Sequence, residues 1–166
     1  PACSIVGYRQ GARFMVHDEI RIEGGAPTHD VATEFVNRFG TWPGEVIVRG
    51  DQTSERRDTR GTVSDFAILT AAYRAHFGRR FLGCDLPNVN PLEADRVATM
   101  NTRLRRVEIV IDPRCRWLLT DLGRVTWKPG ARILDKSSRE LTHLSDALGY
   151  WVHREAPVVL ELLSPV

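Results

Sequence analysis

A chain of 166 residues, 42% hydrophobic and 27% charged, is long enough to bury its own core and has the composition of a globular domain rather than a disordered or fibrous one. Its 23 basic and 21 acidic residues nearly cancel to a net charge of +2, so the sum says little about partners and the distribution says more. Three widely spaced cysteines, Cys3, Cys84 and Cys115, with no CxxC pair, suggest neither a disulfide framework nor a zinc knuckle, and no apolar run approaches the roughly 20 residues of a membrane span.

Residues 2–8 and 13–22 are β-rich runs on either side of the turn-like Gln10-Gly11-Ala12 and predict a hairpin. The opening PACSIVGYRQ has no initiator Met and reads as the second half of a strand, so the chain is expected to begin inside its domain. After Gly24-Gly25, Thr28 is placed to cap a helix in which Val31, Phe35, Val36 and Phe39 recur at helical spacing up to Gly40. Glu45 to Gly50 (EVIVRG) is a short β-branched run, followed by Asp51 and the polar loop QTSERRDTRGT. Ser64 or Asp65 caps the next helix, with Phe66, Leu69 and Tyr73 on one face, and residues 79–84 form another short strand. Pro91 suits the first turn of a helix over about 92–105, with Leu92, Val97, Met100 and Leu104 inward and the arginines outward. Val107 to Ile111 is a buried strand, and Pro113 starts a helix through Trp117, Leu118 and Leu122. Residues 124–135 predict a small hairpin around Trp127, Pro129 and Gly130, and a last helix covers about 139–153. Strands alternating with helices after an initial hairpin predict one α/β domain over residues 1–166 with a mixed sheet.

In such sheets ligands gather at the carboxyl ends of strands, which is where Asp51 stands. Asp146 interrupts the apolar helical stretch THLSDALGYWV, a costly place for a carboxylate unless it lies at the polar edge or meets a cationic partner. Two carboxylates brought together would repel unless divalent cations neutralise them, and hard oxygen ligands suit Mg²⁺ or Mn²⁺. A pair of such ions, about 4 Å apart, activates water and stabilises the leaving oxygen of a phosphodiester. His143, three residues before Asp146, shares its helical face and reads as a ligand, a partner of a ligand, or a helix-start residue. Structural roles stand beside these: Asp51 as a turn residue, Asp112 at a helix start, Asp121 solvated, Lys136 on the surface, and Trp117, Trp127, Tyr150 and Trp151 in the core. Arginine clusters at Arg56, Arg57 and Arg60, at Arg79 and Arg80, and at Arg103, Arg105 and Arg106 are compatible with phosphate contacts or with a solvated face.

In this order, VRGDQTSERRDT, SDFAIL, NVNPLEADRVATMNTRLR, IDPRCRWLLTDLGRVTWKPG, DK and THLSDALGYWV closely resemble the C-terminal nuclease domain of tailed-phage terminase large subunits, over essentially the whole chain. The resemblance implies a ribonuclease H-like fold and two Mg²⁺ or Mn²⁺ ions held by an aspartate triad. It also implies cleavage of concatemeric double-stranded viral DNA during packaging, in the cytoplasm of the infected bacterial host. The implied partners are an ATPase domain, the portal and the small terminase subunit. Asp51 matches the family aspartate at the end of the central strand, Asp146 that of the last helix, and His143 a histidine that approaches the metal in some relatives. The first triad aspartate belongs to a D-x-N-x-x-P-like pattern that this chain would enter at Pro1, so the first strand is expected to be truncated and that carboxylate absent. Asp18 and Glu19 on the adjacent strand are not its equivalents, and without a G-x-x-x-x-G-K-[ST] motif the ATPase domain is expected to lie outside these residues.

The expectation is a metal-dependent DNA endonuclease domain with Asp51 and Asp146 as catalytic ligands, impaired by the missing acid. Arg57, Arg60 and Lys136 are its candidate contacts to DNA phosphates, a mode of binding that is sensitive to salt. The alternatives are another ribonuclease H-like nuclease, such as a junction resolvase, and a non-catalytic module docking on DNA or the portal.

Overall fold

The computed structural model describes residues 2–52, 63–138 and 141–158. The predicted hairpin is present: β1 (Ala2–Gln10) and β2 (Arg13–Ile22) pair antiparallel across Gly11, whose φ of 59° lies in the left-handed region. There follow α1 (Thr28–Phe39), β3 (Val46–Arg49), α2 (Asp65–Phe77), β4 (Phe81–Asp85), α3 (Glu93–Arg105), β5 (Ile109–Ile111), α4 (Arg116–Arg124) and α5 (His143–Glu155). Thr28 is the first residue of α1 rather than its cap, while Ser64 caps α2 by accepting from the Ala67 N–H at 3.3 Å. The 124–135 segment closes through a single bridge between Trp127 and Leu134. Among the described residues no helix is long and apolar enough to cross a membrane.

The architecture is α/β, with a mixed sheet flanked by helices. β5 joins β2 in parallel to give the sheet β1-β2-β5, and β3 pairs in parallel with β4 as a second, two-stranded sheet. Each sheet has its own apolar core. Phe14, Val16, Met100, Ile109, Cys115, Leu118, Leu144, Leu148 and Val152 pack around the first, and Ala32, Val46, Tyr73, Phe77 and Phe81 around the second. α5 spans both. Its Trp151 meets the Phe14 ring edge-on at 5.2 Å, and its Glu155 accepts from Trp151 Nε1 at 2.7 Å and pairs with Arg49 of β3 at 3.0 Å. Arg154 of the same helix forks onto Asp85 at the end of β4.

The β1–β2 ladder slips one residue at Val6/Gly7, where His17 is left over opposite. The bulge inverts the strand's alternation: Phe14 and Val16 face the core before it, and Glu19 faces the same way after it, 8% exposed. Gly7, at the slip, is where Trp151 lies against β1. A Cβ there would stand 2.5 Å from the Met15 carbonyl oxygen and 2.8 Å from the Trp151 ring. Gly7→Ala is therefore expected to destabilise the protein by about 1–3 kcal/mol through overpacking, seen as a lower urea midpoint with an unchanged slope.

Two sequence expectations fail on α3 and α4. The buried face of α3 is Arg96, Thr99 and Met100, with Leu92 at 72% and Leu104 at 36% exposure, so the helix is turned to bring an arginine inward. Trp117 of α4 is 51% exposed and carries the Arg21 guanidinium over its ring at 3.9 Å. In both cases an arginine has found an acidic or aromatic partner from a distant element, which periodicity does not report.

Candidate active site

The helix that carries Asp146 is placed by two buried carboxylates acting in series. Glu19, turned inward by the bulge, accepts from the Trp117 and Leu118 N–H groups at 2.8 and 2.7 Å and so caps the N-terminus of α4. Asp121, three residues on from Leu118 in α4, accepts from the Leu144 and Ser145 N–H groups at 3.1 and 2.9 Å and from Thr142 N–H. It caps α5. Asp121 is 3% exposed, so the expectation that it is solvated is corrected: Thr142 begins α5 with a left-handed φ of 76° and makes no side-chain cap of its own, and Asp121 supplies it from another helix. Asp112 does stand ahead of α4, holding the turn through Arg114; the hydrogen bonds from Arg114 bring its pKa down to about 2.

Asp146 lies one turn into α5 and has the cationic partners its setting requires. Arg96 of α3, 3% exposed, donates to its Oδ1 at 2.7 Å and to its backbone carbonyl at 3.2 Å. The guanidinium lies over the Tyr150 ring at 4.4 Å. Gly149 gives it the room, since a Cβ there would fall 3.0 Å from Arg96 Cγ and 3.1 Å from Cδ. Arg96 Nε is buried without a hydrogen-bond partner, so the arginine is committed to the side that faces Asp146. Lys136 takes the other carboxylate oxygen: its Nζ is 3.0 Å from Asp146 Oδ2 and 2.7 Å from Glu93 Oε1. Glu93 Oε2 in turn accepts from the Leu134 N–H at 2.9 Å. Burial pushes the Glu93 pKa up, and the bonds from Lys136 and Leu134 more than reverse it, leaving it below the usual carboxylate range. Lys136 is correspondingly raised, burial being outweighed by its bonds to Glu93 and Asp146.

Asp51 stands just past β3, as its position after EVIVRG predicts, and the next residue is anchored by the Gln52 N–H donating to Asn90 Oδ1 at 2.7 Å. The two carboxylates picked out in the sequence act on one group. The Tyr150 hydroxyl is raised in pKa by burial first, with Arg96 opposing, and then by the negative charges of both Asp51 and Asp146. Residues 95 positions apart in the chain are thus electrostatic neighbours of one phenol. The chain matches no family model, no curated protein and no solved structure. What the site can do rests on its own geometry.

His143 is exposed at the first position of α5, and among the described residues no three His, Cys, Asp or Glu side chains converge as a metal-binding group. His143 therefore does not complete a three-ligand set with Asp51 and Asp146 here. Arg57 and Arg60 lie outside the described residues. Lys136 is on the surface as expected, its side chain 44% exposed, and there it is paired with two carboxylates, Glu93 and Asp146. A groove of about 680 Å³ runs between α3 and the 127–134 turn, with Trp127, Lys128 and Arg132 along it. Sequence reasoning did not pick out Asn90, Glu93 or Arg96. Glu93 and Arg96 carry a faint signal as an i, i+3 pair on a helix, but their roles depend on residues 40 to 50 positions away.

Proposed function

We propose that this chain is a metal-dependent endonuclease domain of the terminase large-subunit type, with a ribonuclease H-like arrangement, that cleaves double-stranded DNA during viral genome packaging. What supports the reading is Asp146 of the last helix, held between Arg96 and Lys136, together with Asp51 just past the end of β3, whose negative charge adds to that of Asp146 at the Tyr150 phenol. Carboxylate oxygens, which both residues carry, are the donor type that a hard divalent ion takes. Asp51 and Asp146 would hold Mg²⁺ or Mn²⁺, which when bound supplies an activated water and charge stabilisation for phosphodiester hydrolysis. Among the described residues no three His, Cys, Asp or Glu side chains converge, so a second ion would draw on donors beyond them. Arg96 fixes Asp146 through Oδ1, while Asn90 steadies the chain beside Asp51. Lys128 and Arg132 on the open groove are suited to backbone phosphates, and the resulting DNA affinity falls steeply with salt.

The test is Mn²⁺-dependent nicking of supercoiled plasmid. Asp51→Asn is expected to lower the rate about 100-fold or more while leaving the circular dichroism spectrum unchanged, since removing a metal ligand forfeits several kcal/mol of transition-state stabilisation. Equal nicking by the variant and the parent would overturn the assignment. One observation favours a non-catalytic DNA-docking module: both Asp146 oxygens already carry cationic partners. That reading predicts salt-sensitive DNA binding that Asp51→Asn leaves intact, with no metal-dependent nicking by either protein.

A further inference from the structure

The 126–135 hairpin stands against α3 as a braced, exposed element. Its two arms are joined by the Lys128 N–H donating to the Ile133 carbonyl at 2.9 Å and the Asp135 N–H donating to that of Thr126 at 2.8 Å. The tip is a tight turn: Pro129 presets the backbone, Gly130 has a left-handed φ of 72°, and the Ala131 N–H closes onto the Lys128 carbonyl at 3.1 Å. The Leu134 N–H, bonded to Glu93 Oε2, pins the hairpin to α3. Trp127, expected in the core, is 41% exposed and lines the groove of about 680 Å³ between this hairpin and the Ala94 and Ala98 positions of α3. Trp151 packs on Phe14 and Trp117 carries Arg21, but among the described residues no ring or guanidinium covers Trp127. Lys128 and Arg132 outweigh Asp95 along the same groove, leaving one positive charge.

We propose that this groove takes one unpaired nucleotide of a DNA strand, its base stacked on Trp127 and its phosphate held by Lys128 or Arg132. The inference rests on the DNA-cleaving reading above and names the form of strand that this face of the protein takes. Size and charge both point to a single nucleotide. The groove falls within the roughly 300–1,000 Å³ of small-ligand sites, and one net positive charge answers one phosphate rather than a tract of duplex. An acidic peptide matches the charge but not the uncovered indole. A nucleotide matches both, since every base presents a π-face to an aromatic side chain. The braced hairpin holds ring and cations in place beforehand, which lowers the ordering cost of binding.

The experiment is fluorescence anisotropy in EDTA with a short labelled single strand of DNA, a strand of equal length made of abasic units, and a duplex of that length. The parent is expected to bind the strand with bases about fivefold or more tightly than the abasic one, the low end for one stacked base. Trp127→Ala should erase that preference while changing duplex binding by less than about twofold, and Trp127→Phe, which keeps a ring, should retain most of it. Lys128→Met and Arg132→Met should weaken binding of both single strands alike and flatten the salt dependence. No preference for bases in the parent, or a preference that survives Trp127→Ala, would overturn the stacking role and leave the nuclease reading to the plasmid assay. Displacement of the labelled strand by poly-glutamate as readily as by unlabelled strand would also overturn it, marking an acidic-peptide site. A parent that binds none of the three DNAs would overturn both readings.

Discussion

Asp146→Ala is expected to remove metal-dependent cleavage and, independently of any activity, to destabilise the fold by about 2–4 kcal/mol. The stability loss comes from the other side of the pair. Arg96 is 4% exposed and Asp146 21%, so alanine leaves a guanidinium sealed between α3 and α5 with its carboxylate gone. Breaking a buried pair by deleting one partner costs far more than the pair contributes, because the remaining charge stays desolvated. The partial exposure of Asp146 places the figure at the lower part of the range for such pairs. Asp146→Asn, which keeps an oxygen for Arg96, should lose activity with a smaller fall in stability. In an Arg96→Leu background the Asp146→Ala penalty should shrink to well under half, since no buried cation is then left behind. Urea denaturation of the four proteins checks this; an Asp146→Ala penalty that persists unchanged without Arg96 would show that the ion pair is not its source.

Asp121→Ala carries the second large effect, expected at about 2–3 kcal/mol. A single buried carboxylate satisfies the N–H groups of Thr142, Leu144 and Ser145, all at the start of α5. Alanine leaves them without that acceptor and removes the charge that complements the helix dipole. Hydrogen exchange should report the loss locally, with protection falling at Leu144, Ser145 and Asp146 before it falls in β1 or β2. Because Asp146 is set by that first turn, its pairing with Arg96 should loosen as well, although Asp121 does not touch either residue. Unchanged protection along α5 in Asp121→Ala would show that the cap is dispensable.

The elements of this protein were largely readable from its residues. β-branched alternation marked β1 and β2, Gly11 marked their turn, Ser64 marked the start of α2, and the break after EVIVRG placed Asp51 at a strand end. These signals are local: side-chain period, cap chemistry and turn conformation act within a few residues. The question posed by Asp146 was readable too, as an acid in an apolar helix, but its answer was not. Arg96 lies 50 residues away and reads by periodicity as an outward arginine, and only the packing of α3 on α5 makes it the inward partner. Likewise Asp121 reads as a solvated acid and Glu19 as a strand acid without a role, until a left-handed Thr142 and a one-residue bulge turn them into caps for helices further along the chain. The residues alone determine where helices and strands form; which charged side chains end up buried is decided by tertiary contact. A charge can enter the interior only where another element supplies its partner, and that pairing exists in three dimensions before it is visible in one.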